Sequence, residues 1–329
     1  MKAALVKDIR NLTVEEVETP RPAENEVLLK IQMAGVCGSD HSIFKGKMPA
    51  SLPLIPGHEA VGAVEELGST VKKVKIGERV TVHPNYYCGH CLPCKKGLTN
   101  VCLSKTRLGI DINGVFAQYA VVPEAALYPV PDSLPDEVAV FTEPLAVAAH
   151  GINLVSPGKG DRVLIFGAGV IGQLTLQLAL LTSSNITACD LVETRLDLAR
   201  RMGAEKTIGG GDSLEDWESS FDVIYETSGA PAALEIAIRM AAQGGRIIVL
   251  GLPGEDHSVP TVQIVRKELT IFGSMIYTNE FTQSIELLEK GLVKTEPLRS
   301  GIISLEDLSE TLENFDMPSR VKTLVDVRR

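Results

Sequence analysis

No stretch of this 329-residue chain approaches the roughly 18 to 20 unbroken apolar residues that a bilayer span needs. The most apolar segment, 170–181, is interrupted by Gly172, Gln173, Thr175 and Gln177. Aromatic residues are scarce, at 5% with a single tryptophan, which leaves no obvious stacking platform for a substrate. Basic residues are outnumbered 32 to 42, and a net charge of −10 has the wrong sign for a protein whose affinity comes from phosphate backbones. Nucleic acid is therefore not expected as a partner, and neither is a membrane. The first ten residues carry Lys2, Lys7, Asp8 and Arg10 and show neither a long apolar core nor a small-residue cleavage site, so a cytoplasmic location is expected. Apolar residues at 44% and charged residues at 22% describe an ordinary globular chain, long enough for two domains.

Cysteine is also sparse, six in all, but four of the six (Cys88, Cys91, Cys94 and Cys102) stand as C-x2-C-x2-C-x7-C. This is metal spacing. Four thiolates can close a tetrahedron around Zn²⁺ and leave no position for a substrate, which is the arrangement of a structural site. Gly89, Pro93 and Gly97 supply turns that let sulfurs so near in sequence converge, and Lys95 and Lys96 are expected to offset the thiolate charge and face solvent.

The first half reads as short strands and turns: alternation at Leu12, Val14 and Val17, then apolar runs at 27–31, 79–82 and 116–122. Beyond the turn at 157–161 the texture changes to alternating strand and helix. Strands are expected at 162–166, 186–189, 222–225 and 246–250, and helices at 170–181, 194–202 (closed by Gly203) and 232–242. The pattern implies a doubly wound parallel α/β sheet. Helices at 280–290 and 305–315 and a strand at 321–327 complete the reading.

Gly167-Ala168-Gly169-Val170-Ile171-Gly172 follows the first of those strands and opens a helix. Gly167 allows a tight turn, Gly169 lets a pyrophosphate approach the backbone, Gly172 lets helix and strand pack closely, and the helix N-terminus offers free N–H groups to phosphate. Asp190, 18 residues past Gly172 at the end of the next strand, is placed to accept hydrogen bonds from ribose hydroxyls and to repel a 2′-phosphate, favouring NAD over NADP. Val170, Ile171 and Arg195 join the glycines and Asp190 as the expected cofactor-binding set. A looser group, Cys37, His58, Glu59 and Glu143, could form an open metal site, although each residue taken alone is equally compatible with packing or helix capping.

Gly57-His58-Glu59-Ala60-Val61-Gly62 with Gly68 and Val71, Cys37-Gly38-Ser39-Asp40, the cysteine cluster and the nucleotide fingerprint stand in one order along the whole chain. In that order the sequence resembles the zinc-dependent medium-chain alcohol dehydrogenases. Glu143-Pro144-Leu145 is similar to their sorbitol, threonine and butanediol dehydrogenase branch. The resemblance implies a GroES-like β-rich catalytic domain over residues 1–149 with a structural zinc lobe at about 84–105, a Rossmann NAD-binding domain over 150–273, and a return to the catalytic domain over 274–329, with an active site in the interdomain cleft. It implies a catalytic zinc surrounded by Cys37, His58 and Glu143, with Glu59 either an exchangeable ligand or a partner just behind the ligands, hence two zinc ions per chain and NAD as cofactor. Ser39 becomes the group that hydrogen-bonds the reacting oxygen and passes on its proton.

The sequence departs from the family where a relay histidine is usual: Ser42 occupies that place and His41 is displaced by one, so His41 is only a candidate relay. Tyr277 falls in a segment that lines the substrate cleft in polyol dehydrogenases, while Ile276 replaces an arginine common there, which favours a shorter or less hydroxylated alcohol. His83, His90, His150 and His257 match no ligand position and are expected to be structural or on the surface, and Cys189 to be core. The expected activity is hydride transfer between a secondary alcohol or polyol and NAD, giving the ketone. Alternatives are a butanediol or L-threonine dehydrogenase, a sugar-acid or phosphorylated-polyol dehydrogenase, or, outside enzymes, an NAD- and zinc-binding sensor or structural protein. A homo-oligomer, dimer or tetramer, is expected by analogy with relatives.

Overall fold

The structure is a computed structural model that describes residues 1–254, 256 and 258–329. His257 lies outside the described residues. The chain divides into two compact units: Met1–Glu143 together with Phe281–Arg329, and Pro144–Glu280. The sequence reading puts the changes of domain near residues 149 and 274.

In the first unit the central sheet runs in the order Arg299–Ile303, Lys322–Asp326, Glu26–Gly35, Glu59–Leu67, Arg79–Val82, Leu127–Pro129, with Tyr119–Pro123 also paired to Glu26–Gly35. Glu26–Gly35 is its spine. Val27, Leu29, Ile31 and Ala34 are buried and pack with Val64, Val80 and Val122 from neighbouring strands, and Leu28 and Met33 between them are buried as well, so the strand is covered on both faces. The expected strand at 116–122 forms only from Tyr119. Phe116 instead lies against Gly57, where an added Cβ would come within 2.8 Å of its ring.

The second unit is a six-stranded parallel sheet in the order Lys206–Ile208, Ile186–Cys189, Val163–Phe166, Phe221–Glu226, Ala241–Val249, Thr270–Gly273. Helices Val170–Ala179, Glu193–Met202 and Ala233–Met240 connect its strands, so the doubly wound α/β fold is present. Strand order reverses at Val163–Phe166, which places the cofactor-fold switch point beside the glycine turn that follows it. Gly203 closes the second helix at φ 112, in the left-handed region. The expected helix at 232–242 stops at Met240, because Ala241 is extended and opens the next strand, opposite Phe221.

Glu280, at the C-terminal limit of this unit, is buried and fully bonded. Oε1 accepts from His150 Nδ1 at 2.9 Å and Asn153 Nδ2 at 3.3 Å, and Oε2 accepts from the backbone N–H of Thr278 at 2.7 Å. Burial opposes its ionisation, yet these donors prevail and hold the carboxyl down at about 2. A folded value below the ordinary 4.5 means that the network's stabilisation is complete above about pH 4.5 and is lost as pH falls toward 2. Glu280→Gln is therefore expected to lower Tm at pH 7 and to flatten its decline between pH 4.5 and 2. Parallel acid profiles of Tm for variant and wild type would contradict the assignment.

Candidate active site and cofactor site

Cys37, His58 and Glu59 reach one point from different strands of the first unit. Cys37 follows the spine strand and caps the helix Gly38–Phe44; its backbone N–H donates to Asp40 Oδ2 at 2.9 Å, closing a capping box. Glu59 begins the neighbouring strand, paired with Gly35, and His58 immediately precedes it. One ligand atom from each of Cys37, His58 and Glu59 lies within 4.8 Å of the others. Distances of this size suit three ligands about 2.0 to 2.3 Å from one ion.

Asp40 and Lys322 frame this group, and neither was assigned a role from the sequence. Asp40 is fully buried; its Oδ1 accepts from Gly57 N–H at 3.1 Å and stands 3.5 Å from His58 Nδ1, so the Nδ1 edge faces a carboxylate. Ser39 Oγ lies 3.4 Å from Nε2 on the ring's other edge. Burial disfavours the His58 imidazolium, but Asp40 and Cys37 outweigh it and hold its pKa well above the ordinary value. Lys322, from the strand on the other side of the spine, makes an ion pair with Glu59 Oε2 and donates to the Val36 carbonyl at 3.0 Å, with both charged side chains 1% exposed. Space for the pair exists because residue 35 is glycine: a Cβ there would stand 2.0 Å from Glu59 Oε2 and 3.0 Å from Lys322 Cε. Burial alone would neutralise the lysine, yet Glu59, Cys37 and, more weakly, Glu143 keep its pKa raised. The sequence signals were present in both cases: an acid three residues after a capping cysteine, and a lysine inside an apolar terminal strand.

The donor set fits a cation. A thiol, an imidazole and a carboxylate converge, and Glu59 Oε2 has an ion pair rather than a directed hydrogen bond. Glu143 opens the helix Thr142–Leu154 and is buried at 6% exposure, but it is not among the three residues that converge within 4.8 Å. His41 turns away from the group. Its Nδ1 is 2.8 Å from the Leu312 carbonyl, its Nε2 3.5 Å from Asp316, and its ring stacks on Phe315.

The Cys88, Cys91, Cys94 and Cys102 sulfurs form a second group within 4.8 Å of one another. Backbone N–H groups of Cys88 and Ser104 point at Cys102 Sγ at 3.3 and 3.4 Å and lower its pKa, and that of Cys91 points at Cys88 Sγ at 3.4 Å. Lys95 and Lys96 are exposed beside it. His90 is exposed and bonds the Cys88 carbonyl; His83 is buried beside Tyr128 and Phe281, where burial pushes its pKa down to about 4.

In the second unit a cavity of about 580 Å³ opens at the glycine turn. Gly167 takes φ 100, which only glycine adopts without strain, and a Cβ on Gly172 would lie 1.9 Å from the Gly167 carbonyl oxygen. Gly169 has nothing within 4 Å of a Cβ position and caps the helix Val170–Ala179, leaving its first N–H groups facing open space. Asp190 lines the cavity with Arg195; its Oδ2 accepts from Ala168 N–H at 2.7 Å and lies 3.9 Å from Arg195 Nη1, and its Oδ1 accepts from Val192 N–H at 2.9 Å. Cys189, expected in the core, is buried but also lines this cavity. Tyr277, expected at the substrate cleft, is fully buried. Its neighbour Ile276 sits at φ 43, an uncommon strain for a β-branched residue.

A Rossmann sheet with an open helix end at its glycine turn, in a chain whose other unit is β-rich and carries two metal-ready groups, is the make-up of a zinc- and nicotinamide-dependent oxidoreductase. Comparison with known proteins gives the family. Residues 23–132 match the Alcohol dehydrogenase GroES-like domain and residues 170–290 match the Zinc-binding dehydrogenase domain. The chain is 32% identical to the sorbitol dehydrogenase of Bacillus subtilis (strain 168), over 95% of this chain and 93% of that one. A crystal structure of a zinc-binding dehydrogenase from Sinorhizobium meliloti 1021 bound to NADP superposes with TM-score 0.95 at 32% identity, covering 99% and 98% of the two chains. One of an alcohol dehydrogenase (rspB) from Escherichia coli CFT073 complexed with NADH does so with TM-score 0.94 at 33% identity, covering 99% of each. This chain belongs to the zinc-dependent medium-chain alcohol dehydrogenase family.

The buried Glu59–Lys322 pair generates a double-mutant test. Lys322→Met leaves an uncompensated buried carboxylate and is expected to cost about 3–5 kcal/mol. Adding Glu59→Gln should restore much of that loss in urea unfolding. A double variant as unstable as the sum of the single changes would show that the two groups do not interact.

Proposed function

We propose that this chain is an NAD-dependent dehydrogenase that interconverts a small secondary alcohol or polyol with its ketone, using a zinc ion at Cys37, His58 and Glu59 and a structural zinc at the four-cysteine group. The observation that carries the reading is the convergence of thiolate, imidazole and carboxylate beside a buried lysine, in a chain whose other unit presents a dinucleotide-sized cavity. When bound, the zinc supplies a Lewis acid that makes an alcohol acidic near neutral pH, and NAD supplies the hydride acceptor.

The protein's own groups do the rest. Cys37 and His58 are the fixed ligands, because the capping box holds the first and Asp40 holds the second. Glu59 is an exchangeable ligand, because Lys322 competes for its carboxylate, and Glu143 is the carboxylate that replaces it. Ser39 would relay the substrate proton, its Oγ accepting that proton as it releases its own hydroxyl proton toward solvent. Both nitrogens of His41 are engaged by Leu312 and Asp316, so the proton leaves Ser39 by another route. The Gly167–Gly172 turn holds the cofactor pyrophosphate, and Asp190 its adenosine ribose. Ile276 in place of a multiply donating arginine favours a shorter alcohol over a long polyol. The protein is further proposed to act in the cytoplasm as a homo-oligomer, a dimer or tetramer. Among the described residues no helix is long and apolar enough to cross a membrane.

NADH formation over a panel of diols, alditols, sugar acids and 3-hydroxy amino acids, with and without a chelator, tests the activity. A secondary diol or short polyol is expected to turn over best, and no chelator-sensitive turnover on any member would refute the reading. In the same assay His58→Ala and Ser39→Ala should each reduce kcat at least about 100-fold, while His41→Ala reduces it less than about tenfold. Equal losses for His41 and His58 would place His41 in the proton path. Elemental analysis should find two zinc ions per chain, with Cys37→Ser and Cys94→Ser each losing a different one. A single zinc, removed by Cys94→Ser and untouched by Cys37→Ser, would favour a non-catalytic binder.

A further inference from the structure

Asp190 is not the only carboxylate at the adenosine end of the cofactor cavity. The strand next to Asp190's own, Lys206–Ile208, ends in Gly209-Gly210-Gly211, and this turn brings Asp212 into the lining of the same cavity with Asp190, Leu191, Val192 and Arg195. Asp212 is fixed there rather than swinging free. Its Oδ2 accepts from Gly209 N–H at 2.7 Å, and its own N–H donates to the Gly209 carbonyl at 3.2 Å. The burial-raised Cys189 thiol is pushed further up by both Asp190 and Asp212, so the two charges act on one place from adjacent strand ends.

The three glycines leave that strand end without side chains. A Cβ on Gly211 would meet nothing within 4 Å, and one on Gly210 only the exposed Leu191. Bulk therefore does not close this end of the cavity against a larger nucleotide. Arg195, the nearby cation that a 2′-phosphate would seek, stands 3.9 Å from Asp190 Oδ2, and both Asp190 oxygens are already anchored by backbone N–H groups. With steric exclusion absent and the guanidinium facing a fixed carboxylate, discrimination falls to charge.

We infer that Asp212 is a second specificity-determining residue, whose carboxylate acts with Asp190 to exclude the 2′-phosphate of NADP. The inference rests on the NAD-dependent reading above. The protection lies in two side chains at adjacent strand ends, not in the shape of the cavity. Asp190→Ser alone then leaves a guarded pocket, and only the double replacement opens it. Asp212 is exposed, so its part of the repulsion is screened by salt.

The test is the ratio of the Kd values for NADPH and NADH, measured by cofactor fluorescence on the zinc-loaded protein. The ratio corrects for any general loss of cofactor affinity. Wild type should prefer NADH. Asp212→Asn, which keeps an oxygen for the Gly209 N–H, should lower the NADPH/NADH ratio about threefold or more at low ionic strength, and little above about 0.5 M salt. Asp212→Ser should do the same, and Asp190→Ser with Asp212→Asn should exceed Asp190→Ser alone by a similar factor. An unchanged ratio for both Asp212 variants, with wild type preferring NADH, overturns this inference and leaves the proposed function standing. A wild-type preference for NADPH overturns both.

Discussion

Everything catalytic in this molecule depends on keeping several negative groups together in a place without water. Glu59, Asp40 and Glu143 are buried in one unit, with Asp40 and Glu59 at 0 and 1% exposure, and Cys37 is half-buried. The permanent positive charge opposite them is Lys322, itself buried. Lys322 and the raised-pKa imidazole of His58 face a cysteine and several carboxyl groups, and the cost of leaving such groups uncompensated in a low-dielectric site is large. A divalent cation resolves the imbalance. Its requirement is thus written into the folded protein's charge distribution as well as into its ligand spacing.

The strand order serves this arrangement. The spine strand Glu26–Gly35 carries Gly35 and hands the chain to Cys37; the strand on one side begins with Glu59, and the strand on the other begins with Lys322. Three adjacent strands, two of them from opposite ends of the sequence, therefore meet at one corner of the sheet. Residues nearly 290 apart in sequence are joined there by the Lys322 bond to the Val36 carbonyl. This explains why the terminal segment belongs to the first unit and why a lysine in an otherwise apolar strand is tolerated: its ammonium has a carbonyl and a carboxylate to satisfy it.

The second unit was the more legible in sequence. The strands at Ile186–Cys189 and Val163–Phe166 and the Gly203 cap follow from local pattern, because parallel strands buried on both faces read as short apolar runs between turn signals. Propensity misled at Ala241 and Ala242, good helix formers that a β-pairing with Phe221 draws into a strand. The helix expected at 305–315 shrinks to Leu308–Glu313, since Asp307 turns back to bond Ser304. In the first unit the motif His58-Glu59 was visible, but not that Glu59 opens a nine-residue strand. Nor could the sequence reveal Lys322 or Asp40 in their roles: both depend on contacts made only when distant segments align. The complete burial of Tyr277 was not legible in its neighbours either.

The central claim is that a metal sits where Cys37, His58 and Glu59 converge, separate from the four-cysteine group. Crystallographic anomalous difference maps collected on either side of the zinc absorption edge test it most directly. The account predicts two zinc-specific peaks per chain, one among the four sulfurs and one bonded to a single sulfur and the His58 ring, with a carboxylate completing its protein ligands. A fully loaded crystal with a peak among the four sulfurs and none beside Cys37 would contradict it.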